Sequence, residues 1–328
     1  MLKIAAFEVR KDEIKDFKKA AEKYNVELIF TGKPLSVETF DFAEGCGAVT
    51  SLGHSRIDRV ILNLMRDAGI RFYCTRTVGY NHINLEYARE LGIRICNVSY
   101  PPTGVAEYTV MLMLMSLRKY KQAMFRGNVN DYSLDGLEGR ELRNMTVGVV
   151  GTGRIGRTVI EILQGFGCRI LAYDAYPNGS VADMAKYVKL DTLYAESDVI
   201  TLHTPLLEST YHMINRESIA KMKDGVVLIN CARGSLMDVS DVIDGIEKQK
   251  FGALGLDVIE HEDGICHVNH TVDIISNRDM AYIRQFPHVT MTQHMAFYTE
   301  EAVRSMVYGA VKNLRDLNKT GSSTFELF

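Results

Sequence analysis

Thr146-Val147-Gly148-Val149-Val150-Gly151-Thr152-Gly153-Arg154-Ile155-Gly156 decides the fold of this chain. A short apolar run breaks into glycines spaced G-x-G-x-x-G. Arg157 to Phe166 then carries apolar residues at helical intervals, and the next apolar run, Arg169-Ile170-Leu171-Ala172-Tyr173, ends in Asp174. Strand, glycine turn, helix, strand and acid make the layout of a dinucleotide-binding unit. Gly151 permits the tight turn, Gly153 lets the backbone approach a pyrophosphate, and Gly156 lets the helix pack close to the strand. The pyrophosphate belongs at the helix N-terminus, where unpaired N–H groups and the helix dipole favour an anion. Asp174 lies where a carboxylate accepts hydrogen bonds from ribose hydroxyls, and no Lys or Arg follows in Ala175-Tyr176-Pro177-Asn178 to neutralise a 2′-phosphate. The expected cofactor is therefore NAD.

Upstream, strand-like and helix-like stretches alternate. The runs Lys3 to Val9, Val26 to Thr31, Ala48 to Leu52, Arg71 to Thr75 and Arg94 to Val98 read as strands. Ile14 to Tyr24, Ile57 to Ala68 and Leu85 to Leu91 read as amphipathic helices. Pro101-Pro102 breaks this pattern. One long helix is expected from Val105 to about Arg126, followed by a polar link from Gly127 to Arg143. Downstream, Val199 to His203, Val226 to Asn230, Ala253 to Val258 and Val289 to Thr292 read as strands. Arg216 to Met222, Val239 to Gln249 and Thr299 to Asn318 read as helices. Alternation of this kind predicts parallel sheets.

The chain has 328 residues and a formal net charge of −3, enough for two domains and no argument for nucleic acid or an anionic membrane as partner. The N-terminus reads directly as a strand and lacks the features of a signal peptide, so a cytoplasmic location is expected. Cys46, Cys74, Cys96, Cys168, Cys231 and Cys266 show no regular spacing and read as free thiols. Cys266-His267, His261 and His270 lack metal-ligand spacing. No metal is expected, and that segment reads as a polar surface loop.

Three strand ends carry polar residues where a doubly wound sheet places its ligands. They are Asn230-Cys231-Ala232-Arg233-Gly234, Gly255-Leu256-Asp257-Val258-Ile259-Glu260-His261-Glu262 and Thr290-Met291-Thr292-Gln293-His294. Arg233 can bind a substrate carboxylate through two parallel charge-assisted bonds. His294 can pass a proton to or from a carbonyl or alcohol oxygen. Glu262 can orient that imidazole and hold its proton. His203, at the end of its strand, reads as part of a cofactor wall, whereas His288 precedes its strand and lies on the wrong side for chemistry.

Over essentially its whole length the chain resembles the D-2-hydroxyacid dehydrogenases, and within them the D-lactate dehydrogenases, including the vancomycin-resistance branch. The resemblance rests on Arg76-Thr77-Val78-Gly79-Tyr80-Asn81-His82-Ile83, Val147 to Gly156, Thr201 to Leu206, Asn230 to Gly234, Leu256 to Glu262 and His294 to Thr299. It implies an α/β fold with two Rossmann-like, doubly wound parallel-sheet domains and a cleft between them. Residues 1–100, completed by 299–328, would form the substrate domain, and 101–298 the NAD-binding domain. It implies Arg233, Glu262 and His294 as catalytic residues. Arg154, Ile155, Asp174, Pro205, Cys231 and Asp257 would lie along the cofactor path with Gly151, Gly153, Gly156 and His203. Val78 and Gly79 would hold the substrate carboxylate, Tyr100 and Tyr298 would lie near the substrate, and the protein would be a homodimer.

Cys231-Ala232 and Gln293 depart from the family pattern without removing a catalytic group. Gln293 is similar to the formate dehydrogenases of the same superfamily, but Glu262 is retained and argues against that chemistry. Two function classes stay open on this reading: reduction of a 2-keto acid to the D-2-hydroxy acid, and an NAD(H)-sensing binding protein or corepressor of the same fold. By resemblance, Ser51-Leu52-Gly53-His54 lines the substrate side-chain pocket. Apolar Leu52, with no charged group evident beside it apart from nearby His54, predicts pyruvate and larger apolar 2-keto acids as substrates, and poor use of oxaloacetate.

Overall fold

The apolar runs of the first hundred residues form β1 (Lys3–Ala6), β2 (Glu27–Phe30), β3 (Ala48–Ser51), β4 (Phe72–Thr75) and β5 (Arg94–Cys96). Between them lie α1 (Ile14–Tyr24), α2 (Arg59–Asp67) and α3 (Leu85–Glu90). All five strands are parallel, in the order β2-β1-β3-β4-β5. Local chemistry sets the helix ends. The Asp58 carboxylate accepts the N–H groups of Val60 and Ile61 at 2.9 and 3.1 Å to open α2, and Asn25, at φ 52°, closes α1. Phe7, Phe17, Leu62, Met65, Tyr73 and Ile95 are buried in this core. β1 stops at Ala6, short of the expected Val9, because Glu8 turns the chain at φ 54°.

The computed structural model describes residues 1–328. They divide into two compact units, Met1–Pro101 with Tyr298–Phe328, and Pro102–Phe297. The second contains, in chain order, α4 (Thr103–Leu117), α5 (Tyr120–Asn128), β6 (Thr146–Val150), α6 (Arg154–Gln164), β7 (Arg169–Tyr173), β8 (Lys186–Tyr187), α7 (Leu190–Glu196), β9 (Val199–Leu202), α8 (Arg216–Lys221), β10 (Val226–Asn230), α9 (Val239–Glu247), β11 (Phe251–Leu256), α10 (Arg278–Ile283) and β12 (Val289–Met291). Its seven strands are all parallel, ordered β12-β11-β10-β9-β6-β7-β8. β6, β9 and β10 are buried along their whole length, as central strands covered on both faces must be. The strand order reverses between β6 and β9, which is where such a sheet receives a ligand. The last helix, α11 (Glu300–Thr320), packs on α1 and β4 of the first unit. The residues after it return to β5, where the Leu327 N–H donates to the Ile95 carbonyl at 2.9 Å.

The single helix expected from Val105 to Arg126 is two helices. The chain breaks at Lys119, which adopts φ 51° and donates from Nζ to the Gly136 carbonyl at 2.8 Å. Apolar periodicity continues across the break, so it carries no trace of the turn. β8, α7 and α10 have no counterpart among the elements expected from sequence. All six cysteines are free, and all but the half-buried Cys168 are buried. No helix is long and apolar enough to cross a membrane.

Candidate active site

The glycine turn after β6 has the backbone a dinucleotide requires. Gly151 adopts φ +94°, and a Cβ on Gly156 would lie 1.9 Å from the Gly151 carbonyl oxygen. Any side chain at Gly156 would push α6 off the strand. A Cβ on Gly153 would meet nothing within 4 Å, so that side of the turn is open to a ligand. The Asp174 carboxylate at the end of β7 accepts the Thr152 N–H at 2.6 Å, the Thr152 hydroxyl at 3.1 Å and the Tyr176 N–H at 2.8 Å. A carboxylate has about four acceptor positions, so capacity remains for a ribose hydroxyl. These residues fit NAD. Arg154 is exposed and Ile155 half-buried at the start of α6, and Pro205 is exposed after β9.

His203 packs against this turn, its Cβ lying 3.3 Å from the Cβ position of Gly156. Its Nε2 lies 3.0 Å from the Thr201 hydroxyl, and loss of water around the ring pushes its pKa down to about 3. It is neutral and cannot supply a proton near neutral pH. Burial, aided by the Lys121 charge, also lowers His288. Burial first, then the Asp257 charge, pushes the buried Cys231 thiol up to about 12, which keeps it an uncharged neighbour of the turn.

Glu262 and His294 meet. The imidazole Nδ1 lies 2.5 Å from Glu262 Oε1, so Nε2 is the ring nitrogen left for a substrate. Glu262 is itself held, its Oε2 accepting the Ile259 N–H at 3.0 Å. The Cys266 thiol approaches the same oxygen at 3.8 Å; burial and then the Glu262 charge push that thiol up to about 12, so it stays protonated and donates. The segment read as a polar surface loop therefore turns inward, with Ile265 and Cys266 buried behind the acid. No group of three or more His, Cys, Asp or Glu is arranged to hold a metal ion.

His294 sits at φ 55°, an unfavourable backbone for a residue with a side chain. The turn bearing it is clamped by Asp257, which is only 1% exposed. Asp257 Oδ1 accepts the Thr292 hydroxyl at 2.6 Å and the Met295 N–H at 2.9 Å, and Oδ2 accepts the Ala296 N–H at 2.8 Å. Asp257, expected beside the cofactor, thus has both oxygens engaged by the turn that carries His294. The His267 ring adds a contact from its Nε2 to the His294 carbonyl at 3.0 Å.

Arg233 follows β10 in a turn built by Asn230, a fully buried side chain that accepts the Ala232 N–H and donates to the Arg233 carbonyl, both at 2.9 Å. A Cβ on Gly234 would lie 2.1 Å from the Ile259 carbonyl carbon, so only glycine lets this turn rest on the strand-end loop that leads to Glu262. The half-buried guanidinium bonds the carbonyl of Ala232 at 2.7 Å and pairs with no carboxylate of the protein, leaving it available to an anion. Asn230, Gly234 and Cys266 were not assigned these positioning roles from sequence. The Asn and Gly were visible in the motif, but only the folded contacts give them a role.

The remaining candidates belong to the first unit. The loop after β4 has its carbonyls occupied: Val78 accepts from the Asn97 amide at 2.8 Å and Gly79 from the Thr77 hydroxyl at 2.6 Å. The N–H groups of Val78 and Gly79 have no acceptor in the protein. Tyr100 is half-buried. Tyr298 is 44% exposed, with the Arg10 guanidinium 5.0 Å from its ring centre.

The sequence profile of the D-isomer specific 2-hydroxyacid dehydrogenase NAD binding domain matches residues 110–296. The aromatic 2-oxoacid reductase of Clostridium sporogenes is 42% identical over 323 residues, covering 98% of each chain. The chain belongs to the D-2-hydroxyacid dehydrogenase family. It is an NAD-dependent oxidoreductase. The D-lactate dehydrogenase of Escherichia coli is 34% identical to this dehydrogenase, covering 99% of this chain and all of that one. The solved structure of D-2-hydroxyisocaproate dehydrogenase superposes with a TM-score of 0.90 at 32% identity over 99% of both chains.

Proposed function

We propose that the enzyme reduces a 2-oxo acid to the D-2-hydroxy acid, with His294 as general acid in that direction and general base in reverse. The observation that carries this reading is the Glu262–His294 contact of 2.5 Å, which directs Nδ1 to a carboxylate and leaves Nε2 to face a substrate oxygen. When bound, the nicotinamide supplies the hydride. Arg233 binds the substrate carboxylate by a planar two-point contact; in the first unit, the amides of Val78 and Gly79, which have no acceptor in the protein, can serve an anion. That contact orients the carbonyl carbon, while His294 delivers its proton to the carbonyl oxygen. Glu262 stabilises the imidazolium and fixes its orientation, and Asp257 holds the backbone from which it projects.

The substrate range proposed is pyruvate and larger apolar 2-oxo acids. Leu52 offers an apolar wall, and relatives named for aromatic 2-oxoacids, 2-hydroxyisocaproate and lactate support that range. Burying a branched or aromatic tail is worth roughly 1–3 kcal/mol. NADH oxidation with pyruvate, 2-ketoisocaproate, phenylpyruvate and oxaloacetate tests the proposal, and failure to turn over any of them would sink it. A homodimer is supported by the exposed apolar side chains of Tyr120, Met124, Phe125, Tyr132 and Leu134. Light scattering of the wild type and of Phe125→Glu checks this, with a dimer expected to weaken on substitution.

A further inference from the structure

Beside Leu52 lies a charge that local sequence did not reveal. The Glu8 carboxylate, 7% exposed, accepts the Leu52 N–H at 2.7 Å and the Ser55 hydroxyl at 2.8 Å on Oε2, and the His54 N–H at 3.1 Å on Oε1. Ser55 Oγ in turn accepts the Leu35 N–H at 2.9 Å. Three donors from four consecutive residues thus converge on one side chain from the turn after β1, more than forty positions upstream. The same turn lies beside the Thr77–Gly79 loop, since a Cβ on Gly53 would meet Thr77 Cγ2 at 3.9 Å.

The fold holds Glu8 in an uncommon conformation to achieve this. Its φ of 54° is a backbone that side-chain-bearing residues avoid unless their surroundings over-determine it. Here they do. The fully buried Arg76 donates from Nη2 to the carbonyls of Phe7 and Glu8 at 2.9 and 3.1 Å, while its Nε pairs with buried Glu13 at 3.3 Å. The Glu8 N–H donates to the Lys33 carbonyl at 2.9 Å. Backbone and carboxylate are therefore both pinned, and the carboxylate bonds nothing but the Leu52–Ser55 turn.

We infer that Glu8 is a positioning residue that sets side-chain discrimination, by locking the Leu52–Ser55 turn and by presenting a negative charge beside Leu52 that disfavours a second substrate carboxylate. The inference rests on the proposed 2-oxo acid reduction and on that turn facing the substrate side chain. A peg that merely supported the fold would change all substrates alike; this role changes their ratio.

The test is kcat and KM for pyruvate and oxaloacetate in the wild type, Glu8→Gln and Ser55→Ala, with NADH affinity measured by fluorescence. Gln keeps one acceptor oxygen, which can retain the Leu52 and Ser55 bonds. Its amide group then faces the His54 N–H, so that bond and the charge are lost. In Glu8→Gln, kcat/KM for oxaloacetate relative to pyruvate should rise about ten-fold, through KM, with NADH affinity unchanged. Ser55→Ala retains the charge and two of the three bonds, and should give a smaller shift in the same direction; it also serves if Glu8→Gln fails to fold. An unchanged ratio in the folded variants would overturn the inference alone. A wild type that reduces no 2-oxo acid would overturn the proposed function and this inference with it.

Discussion

Asp257→Asn separates a brace for the His294 turn from a contact with the cofactor. The carboxylate accepts three bonds, from Thr292, Met295 and Ala296, and is almost entirely buried. Asn can place its oxygen where Oδ1 accepts two of them, but its amide group then confronts the Ala296 N–H. One charge-assisted bond is lost outright, about 1.5–3 kcal/mol, and an N–H is left without an acceptor. The turn it restrains carries His294 at φ 55°, a conformation that itself costs about 1–2 kcal/mol. If half of about 3 kcal/mol appears as misplacement of the imidazole, kcat/KM for pyruvate falls about ten-fold, with each further 1.4 kcal/mol adding another factor of ten. Thermal denaturation should show a lower midpoint, and NADH affinity, read by fluorescence quenching, should hold. Weakened NADH binding with kcat intact at saturating cofactor would refute the reasoning and return Asp257 to the cofactor path.

Glu262→Gln removes the carboxylate that meets His294 Nδ1 and should lower kcat for pyruvate about ten-fold or more with NADH affinity unchanged. A variant with wild-type kcat contradicts the assignment. His203, held near 3 against an ordinary value of 6.5, is neutral in the fold at pH values where the unfolded chain binds a proton. Folding stability therefore rises with pH across that window and levels off above it. His203→Gln should flatten the melting midpoint between about pH 4 and 6, and an unaltered slope would show that the imidazole is hydrated. Asp174 should make NADH the better cofactor, and Asp174→Ala should narrow the gap by removing repulsion of a 2′-phosphate; a higher kcat/KM with NADPH in the wild type would count against that reading.

The dinucleotide unit was readable because its chemistry is local. Gly151, Gly153 and Gly156 lie within six residues, and the strand, helix and acid that give them meaning follow directly. Arg233, Glu262 and His294 could be nominated because each ends an apolar strand, and parallel strands deliver such ends to one edge of a sheet. The break at Lys119, at φ 51°, could not be read, since apolar periodicity runs through it.

The sequence by itself determined the α/β architecture, the NAD-binding turn and the residue types available for proton transfer and carboxylate binding, because these follow from short-range patterns. Only the tertiary structure decided the 2.5 Å approach of Glu262 to His294, that Asp257 faces the His294 turn, and that the Glu8 carboxylate, just beyond β1, sits beside Leu52. Those are contacts between residues 32, 38 and 44 positions apart. Their distances depend on how strand ends and loops pack, and no periodicity or spacing along the chain encodes them.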